Sequence, residues 1–312
     1  MIEQRVLIIG GGFLGKALAE SLILRGDRIT LLSRHGDPST LPRGSAIVRG
    51  SQENKTLMAE LLHEHTTVIH AAWGTTPSSS AGHPEVEGLL GLIPFLSFLE
   101  VLQRFPEVRL LFLSSGGTVY GNPGRLPVTE DQTLQPLSCH GVSKVGAESF
   151  IQVMEDGRKC PSLILRPSNI YGPGQILRSG FGVVPHLLHC ATENVSFHLR
   201  GDGLQVRDYL YIDDFLDAVK CLMECNVKGT FNLGSGSGTS LRELIELVEK
   251  TTGRLIHVEP HPPSISDVDR VTLDIQKISN LTGWTPNTSL VQGIVQTWRW
   301  FKEFNADEKQ KT

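Results

Sequence analysis

The chain is poor in cysteine. It has 5 in 312 residues, an odd number with no Cys-x-x-Cys pair. That argues against a disulfide framework and favours a reducing compartment. Cys221 and Cys225 share one helix turn, but two small buried side chains explain them better than a metal site. No apolar run approaches the roughly 20 residues that a membrane helix needs, so no membrane partner is expected. Positive charge is not in excess: 29 Lys and Arg face 33 Asp and Glu, for a net charge of −4. A nucleic-acid partner is therefore not expected either. The opening run Met1-Ile2-Glu3-Gln4-Arg5 leads into a short apolar segment stopped by Gly10. This is too short for a signal peptide, and a cytoplasmic protein is expected. No repeat or low-complexity tract occurs. With 39% hydrophobic and 20% charged residues the composition is ordinary for a globular protein, and the length suits about two lobes.

What is present is a rhythm of short apolar runs and helical patterns. Val6–Ile9, Ile29–Leu32, Ala46–Val48, Thr67–His70, Leu110–Ser114 and Leu163–Arg166 read as strands. Near-continuous apolar runs suit strands buried on both faces of a parallel sheet, with helical crossovers between them. Leu89 to Leu102 is apolar almost all round, which predicts a helix buried on more than one side, and Pro94 should kink it or mark a late start. After about residue 170 Gly, Pro and His become frequent and the elements short. Asp213-Asp214 predicts a helix start with one Asp as N-cap, and Ser240 with Glu243 predicts a capping box. From about Ala306 the tail is polar and expected to fray.

Gly10-Gly11-Gly12-Phe13-Leu14-Gly15 follows the first strand and opens a helix. Gly10, Gly12 and Gly15 fit the G-x-G-x-x-G spacing of a dinucleotide site. The glycines permit close approach of the backbone to a pyrophosphate, and the helix N-terminus offers oriented N–H groups. A ligand-free tight turn is the plainer alternative. At the end of the second strand, where an acidic residue usually binds the adenine ribose, the chain has Ser33 and then Arg34. An Asp would repel a 2′-phosphate, whereas Ser-Arg would accept one. This tilts the expectation toward NADP over NAD, unless Arg34 is only a solvated surface charge. The fold class is α/β: a doubly wound parallel (Rossmann) sheet with a smaller α/β substrate-binding lobe. Residues 1–168 are expected to form the dinucleotide domain, rejoined by about 207–233, and 169–312 mostly the second lobe.

Residues 136 to 148 read Pro-Leu-Ser-Cys-His-Gly-Val-Ser-Lys-Val-Gly-Ala-Glu. The stretch resembles the catalytic helix of the extended short-chain dehydrogenase/reductases, the NAD-dependent epimerase/dehydratase family. That family has a Tyr four residues before a Lys. Here the Lys is Lys144 and the Tyr position holds His140. Residues four apart meet on one helix face. The resemblance extends over nearly the whole chain. Ile69-His70-Ala71-Ala72 is similar to the segment lining the nicotinamide half. Phe112-Leu113-Ser114-Ser115-Gly116-Gly117-Thr118-Val119-Tyr120-Gly121 is similar to the active-site loop. The segment leading into the substrate lobe is matched by Leu165-Arg166-Pro167-Ser168-Asn169-Ile170-Tyr171-Gly172-Pro173-Gly174. Gly201-Asp202-Gly203 with Val206-Arg207-Asp208-Tyr209 is similar to the nucleotide-sugar loop. Phe231–Gly236 and Gly283–Pro286 resemble later landmarks.

The resemblance implies an enzyme acting on a nucleotide-sugar by transient oxidation of a sugar hydroxyl, in polysaccharide or glycoside biosynthesis, as an epimerase or dehydratase and as a homodimer. It implies catalytic roles at His140 and Lys144, with Ser115 and Thr118 the nearest substitutes for the Ser or Thr that Gly116 displaces. Gly10, Gly12, Phe13, Leu14, Gly15, Ser33, Arg34, Ala71, Ala72, Ser114, Lys144 and Pro167 would hold the cofactor. Trp73, Asn169, Tyr171, Arg200, Arg207 and Arg270 would hold the substrate. Arg207 is the best pyrophosphate clamp, because arginine binds phosphate bidentately, with a local ion pair to Asp208 or Asp202 as the alternative. The second family Arg is missing from Ser264-Ile265-Ser266-Asp267, where Arg270 is the nearest replacement. Arg200 offers a planar guanidinium for stacking on a base. Gly50-Ser51 replaces a family Gly-Asp at the adenine end.

His140 decides the chemistry. An imidazole titrates near 6.5, suited to a general base, and a neighbouring Lys keeps it neutral. It is, however, shorter than a phenol. The alternatives are a working base, helped by a bridging water, or a hydrogen-bonded remnant in a silent relative. Beside the epimerase stand two other readings: an NADP-dependent reductase of a keto-sugar or other carbonyl, and a non-catalytic NAD(P)-binding relative. His186 and His189, three apart, lack a carboxylate at ligand spacing, and no metal is expected.

Overall fold

The computed structural model describes residues 3–35, 44–155, 162–177, 181–225, 227–263 and 267–311, with side chains described as far as residue 306. Ser264, Ile265 and Ser266 therefore lie outside the described residues. The elements in chain order are β1 (Arg5–Ile9), α1 (Phe13–Arg25), β2 (Arg28–Ser33), β3 (Ala46–Arg49), α2 (Lys55–Glu64), β4 (Thr67–His70), α3 (Pro84–Glu87), a π-helical turn (Gly88–Leu92), α4 (Ile93–Leu102), β5 (Arg109–Leu113), α5 (Cys139–Met154) and β6 (Leu163–Pro167). There follow β7 (Asn169–Tyr171), α6 (Val183–Glu193), β8 (Phe197–Arg200), β9 (Val206–Tyr211), α7 (Ile212–Glu224), β10 (Gly229–Leu233), β11 (Gly238–Ser240), α8 (Leu241–Thr252), β12 (Val258–His261), α9 (Gln276–Thr282) and α10 (Leu290–Lys311).

Seven strands form one sheet in the order β10-β6-β5-β4-β1-β2-β3. The pairs β1–β2, β1–β4, β2–β3, β4–β5 and β5–β6 are all parallel. Strand order reverses next to β1, the switch point at which open α/β sheets bind ligands at the strands' carboxyl ends. The apolar runs form these strands because both faces are covered: Leu7, Ile8, Val68, Ile69, Leu111 and Phe112 are fully buried. A three-stranded sheet, β11-β9-β7, and the β12-β8 pair complete the fold.

Cα packing divides the chain into two compact units. One comprises Met1–Ser115, Ser138–Arg166 and Val219–Phe231; the other comprises Gly116–Leu137, Pro167–Ala218 and Asn232–Thr312. In the first, Phe95, Phe98, Phe112, Met58, Leu7 and Val68 are part of the core. In the second, Asp208 is fully buried and accepts N–H bonds from Ser235 (2.7 Å), Gly236 (3.2 Å) and Leu273 (3.1 Å). These donors compensate the burial of its carboxylate.

Several local expectations change. The apolar stretch from Leu89 is two-faced. Phe95, Phe98, Leu99 and Val101 are buried, while Leu89, Leu90 and Ile93 are about half exposed. Pro94 sits in the first turn of α4, where its missing N–H costs nothing, behind the π-turn. Neither Asp213 nor Asp214 is an N-cap. Both lie in the first turn of α7, which starts at Ile212, and Asp214 accepts the N–H groups of Asn287 and Thr288. The capping box forms: Ser240 Oγ accepts from Glu243 N–H (3.2 Å) and Glu243 Oε2 accepts from Ser240 N–H (2.7 Å). Beyond Ala306 the backbone stays helical to Lys311 instead of fraying. Among the described residues no helix is long and apolar enough to cross a membrane.

Candidate active site

The turn between β1 and α1 separates its three glycines by task. Gly10 has φ +114°, a value that strains an L side chain, and a Cβ there would lie 2.8 Å from Ala72 N. A Cβ on Gly15 would lie 1.8 Å from Gly10 O, so this glycine is required by packing. Around Gly12 nothing comes within 4 Å of such an atom. Gly12 is also the N-cap of α1, with no side-chain cap and no acid in the first turn. The first helical bond runs from Lys16 N–H to Gly12 O (3.0 Å), so the amides of Phe13, Leu14 and Gly15 are left for another acceptor. Open space at Gly12 and an uncapped helix start fit a dinucleotide pyrophosphate.

At the end of β2, Ser33 is half-buried against the turn: a Cβ on Gly11 would lie 2.9 Å from its Oγ. Arg34 is exposed. Ser51 Oγ accepts from Glu53 N–H (3.2 Å). Ala71 and Ala72, half-buried after β4, lie against Gly10. His70 at the end of β4 is fully buried among Phe95, Phe98 and Phe112, with Nε2 2.5 Å from Gln52 Oε1. Burial, and then the charge of Lys144, lower its pKa to about 3, so this ring is neutral.

Ser138 caps α5 by accepting from Gly141 N–H (3.1 Å), and the helix presents His140 and Lys144 one turn apart. Both are buried, at 7% and 5% exposure. Lys144 Nζ donates to Leu113 O (2.8 Å) and stands 3.8 Å from the Trp73 ring centroid. Burial lowers its pKa to about 7, against the raising influence of Glu87 and Glu148. The His140 ring meets Trp73 edge to face at 6.2 Å. Burial first and Lys144 second lower the His140 pKa to about 4, with Glu87 opposing. His140 is a neutral base over the physiological range.

Ser114 does not face outward as expected of a cofactor contact. Its hydroxyl donates to Glu148 Oε1, and Glu148 is clamped by Arg166 Nε (3.0 Å) and Nη2 (2.5 Å). Ser115 is half-buried at the end of the first unit.

In the second unit, Thr118 Oγ1 is buried and has no hydrogen-bond partner among the described residues. Nearby, Asn169 Nδ2 donates to Asp208 O (3.0 Å) and lies 3.8 Å from where a Cβ on Gly117 would sit. Pro167 is buried, its carbonyl accepting from Gly116 N–H (2.8 Å). Tyr171 sits in the core at 2% exposure, packed on Tyr209 and Tyr211 with its hydroxyl donating to Leu290 O (3.4 Å). Burial, followed by Tyr211 and Asp214, pushes its pKa up. Arg207 is half-buried; its Nη1 donates to Val206 O (3.0 Å), and Asp267 and Asp269 act on it electrostatically. Exposed Arg270 forms an isolated bridge with Val206. Arg200 is exposed at the end of β8.

His198, Glu259 and His261 have ligand atoms within 4.8 Å of one another. The two imidazoles stack at 16°, so their lone pairs lie in near-parallel planes and do not converge on one ion. His186 packs edge to face on Phe197.

The sequence reading missed Glu87, Thr75 and Gln52. Glu87 is 1% exposed and accepts from Trp73 Nε1 (2.8 Å) and Thr75 Oγ1 (2.6 Å). A lone acid ahead of an apolar helix reads as a surface charge. Only its place between Val86 and Gly88, beside an apolar run, hinted otherwise.

Residues 6–234 match the model of the NAD dependent epimerase/dehydratase family. A putative UDP-glucose 4-epimerase of Methanocaldococcus jannaschii is 30% identical over 96% of this chain and 99% of that protein. The dTDP-4-dehydro-6-deoxyglucose reductase of Escherichia coli is 31% identical over 94% of this chain and 96% of its own. The crystal structure of a Thermus thermophilus UDP-glucose 4-epimerase in complex with NAD is 29% identical, with a TM-score of 0.89 over 96% of this chain and 99% of the other. With the family match covering most of the chain and these relatives aligned nearly end to end, the chain belongs to the NAD dependent epimerase/dehydratase family.

Proposed function

We propose that the chain is a nicotinamide-dependent UDP-hexose 4-epimerase in which His140 replaces a phenol as the base. The observation that carries this reading is a buried, neutral His140 one helical turn from a buried Lys144, in the unit that also holds the open glycine turn. Gly10, Gly12, Phe13, Leu14 and Gly15 would hold the pyrophosphate, with Ser33, Arg34, Ala71, Ala72 and Lys144 around the remainder of the dinucleotide. A bound nicotinamide would supply reversible hydride transfer with the sugar carbon. His140 takes the proton of the sugar hydroxyl and gives it back. Lys144, fixed by Leu113 O and the Trp73 face, would hold the cofactor ribose. Ser115 would offer its hydroxyl to the sugar. Trp73 would line the sugar site.

Arg207 and Arg270 would neutralise the UDP pyrophosphate, and Arg200 would stack on the uracil. Removing Arg207 as alanine should weaken UDP-hexose binding by about 1.5–3 kcal/mol, one charge-assisted contact, measured by calorimetry on the folded variant. Unchanged affinity contradicts the assignment.

We further propose a homodimer formed over the outward apolar faces of α3, α4 and α5. Val86, Leu89, Leu90, Ile93, Val142, Phe150 and Val153 are 37–80% exposed there. Four free cysteines among the described residues suit the reducing cytoplasm.

A second reading is supported by Ser33-Arg34 and by the likeness to the Escherichia coli reductase: NADP-dependent reduction of a keto-sugar. If Arg34 holds a 2′-phosphate, alanine there should cost NADP roughly tenfold in affinity, near 1.5 kcal/mol, and leave NAD unaffected. Equal NADP affinity in the variant would remove that preference. One assay separates the readings. An epimerase converts UDP-hexose with no nicotinamide added beyond what copurifies, whereas a reductase consumes NADPH mole for mole. Consumption of NADPH by the keto-sugar without epimerisation would overturn the first reading.

A further inference from the structure

We infer that Glu87, acting with Thr75, is the positioning residue of His140: it holds the imidazole in its Nδ1–H form and stabilises the ring once it has taken a proton at Nε2. Glu87 ends the short helix α3, and its neighbours Glu85 and Val86 are exposed while its own side chain is buried. Burying a carboxylate is costly unless hydrogen bonds and charge compensate it. Here the compensation is built. Trp73 Nε1 donates to Oε1 and Thr75 Oγ1 to Oε2. Burial works against the charge, but the bonds from Ser80, Thr75 and Trp73, together with His140, outweigh it and keep the group below the usual carboxylate range.

His140 faces this carboxylate, with Nδ1 3.8 Å from Oε1, a pair that becomes an ion pair only when the ring takes a proton. Nδ1 is also 3.5 Å from Thr75 Oγ1. The threonine's one proton is committed to Glu87, so toward His140 its oxygen can only accept. Both groups facing Nδ1 are therefore acceptors, and Nδ1 carries the hydrogen. Nε2 then keeps the lone pair, as a general base requires. The distances are long, as catalytic contacts often are before substrate tightens them.

The backbone makes room for this pair. A Cβ on Gly91, in the π-turn, would stand 2.7 Å from both Glu87 Oε1 and Trp73 Nε1. Single π-turns inside helices recur at functional sites. A phenol needs no such partner, because it has no second ring nitrogen to hold. The carboxylate is thus the counterpart of the Tyr-to-His exchange, which a silent remnant would not need.

The catalytic half of this inference rests on the epimerase reading; the tautomer half does not. The test compares wild type, Glu87→Gln, Thr75→Val and the His140→Tyr/Glu87→Gln double variant. Histidine ¹⁵N NMR should show His140 as the Nδ1–H tautomer in wild type and a mixed or Nε2–H population in Glu87→Gln. Glutamine is isosteric, so the fold is retained. With UDP-hexose, Glu87→Gln should lower kcat about 10- to 100-fold with KM nearly unchanged, the scale of lost outer-shell support. Its acid limb should move to lower pH, because the negative charge that favoured the protonated ring is gone while Lys144 still opposes it; Trp73 and Thr75, also against the ring, carry no charge. In the His140→Tyr background the same change should cost less than about threefold. If wild type turns over no nucleotide-sugar, the epimerase reading fails and the tautomer alone decides this one. An Nε2–H tautomer in wild type overturns the inference. So does a Glu87→Gln enzyme with wild-type kcat and tautomer while His140→Ala is impaired.

Discussion

Replacing His140 with alanine is expected to lower UDP-hexose turnover by about 10²- to 10⁴-fold, the range for a lost general base. The reason is local. His140 is buried and neutral, four residues ahead of Lys144, at the family's phenol position. His140→Tyr should retain or raise activity, since it returns the longer phenol to the face beside Lys144. An imidazole ends short of a phenolic oxygen, and a misplacement of about 1 Å can cost ~100-fold, so the tyrosine variant is expected to be at least as fast as the natural enzyme. The pH profile carries the same signature. The base is active when unprotonated, so the rate should rise as pH rises through about 4. It should fall again as pH passes about 7, where Lys144 loses its charge. Equal turnover in wild type and His140→Ala would exclude the histidine and point to Thr118 or Ser115.

Gly12→Val should abolish dinucleotide binding while leaving the fold intact. Gly12 has φ −81°, which any residue adopts, and no atom lies within 4 Å of an added Cβ. The space a valine would fill is the approach to the uncapped start of α1. Gly15→Val is the control with the opposite behaviour. Its Cβ would strike Gly10 O, so that variant should lose stability along with binding. Thermal unfolding and calorimetry with NAD and NADP separate the two. Undiminished affinity in a folded Gly12→Val protein would move the site elsewhere.

The sheet was legible because its central strands are buried on both faces. Six apolar runs without alternation became β1 to β6 within one or two residues at each end. The seventh strand, Gly229–Leu233, was not read as one, because Gly229-Thr230-Phe231-Asn232-Leu233 alternates and reaches the sheet edge only by pairing beyond β6. The glycine turn and the His140–Lys144 pair were legible because their spacing is local, one turn and one helix face. What escaped depends on distant partners. Ser114 turns inward because Glu148, 34 residues on and itself held by Arg166, accepts its hydroxyl. Tyr171 belongs to a tyrosine cluster made by a strand about 40 residues later. Glu87 becomes a buried carboxylate only because Trp73, Thr75 and His140 converge on it from separate segments.

The most direct measurement is proton NMR of UDP-glucose incubated with wild type and with His140→Ala, with no nicotinamide added beyond what copurifies. The account predicts that UDP-galactose accumulates to equilibrium with wild type, and that its initial rate with His140→Ala is lower by at least about 100-fold. Absence of conversion by wild type, or equal rates in the two proteins, would contradict it.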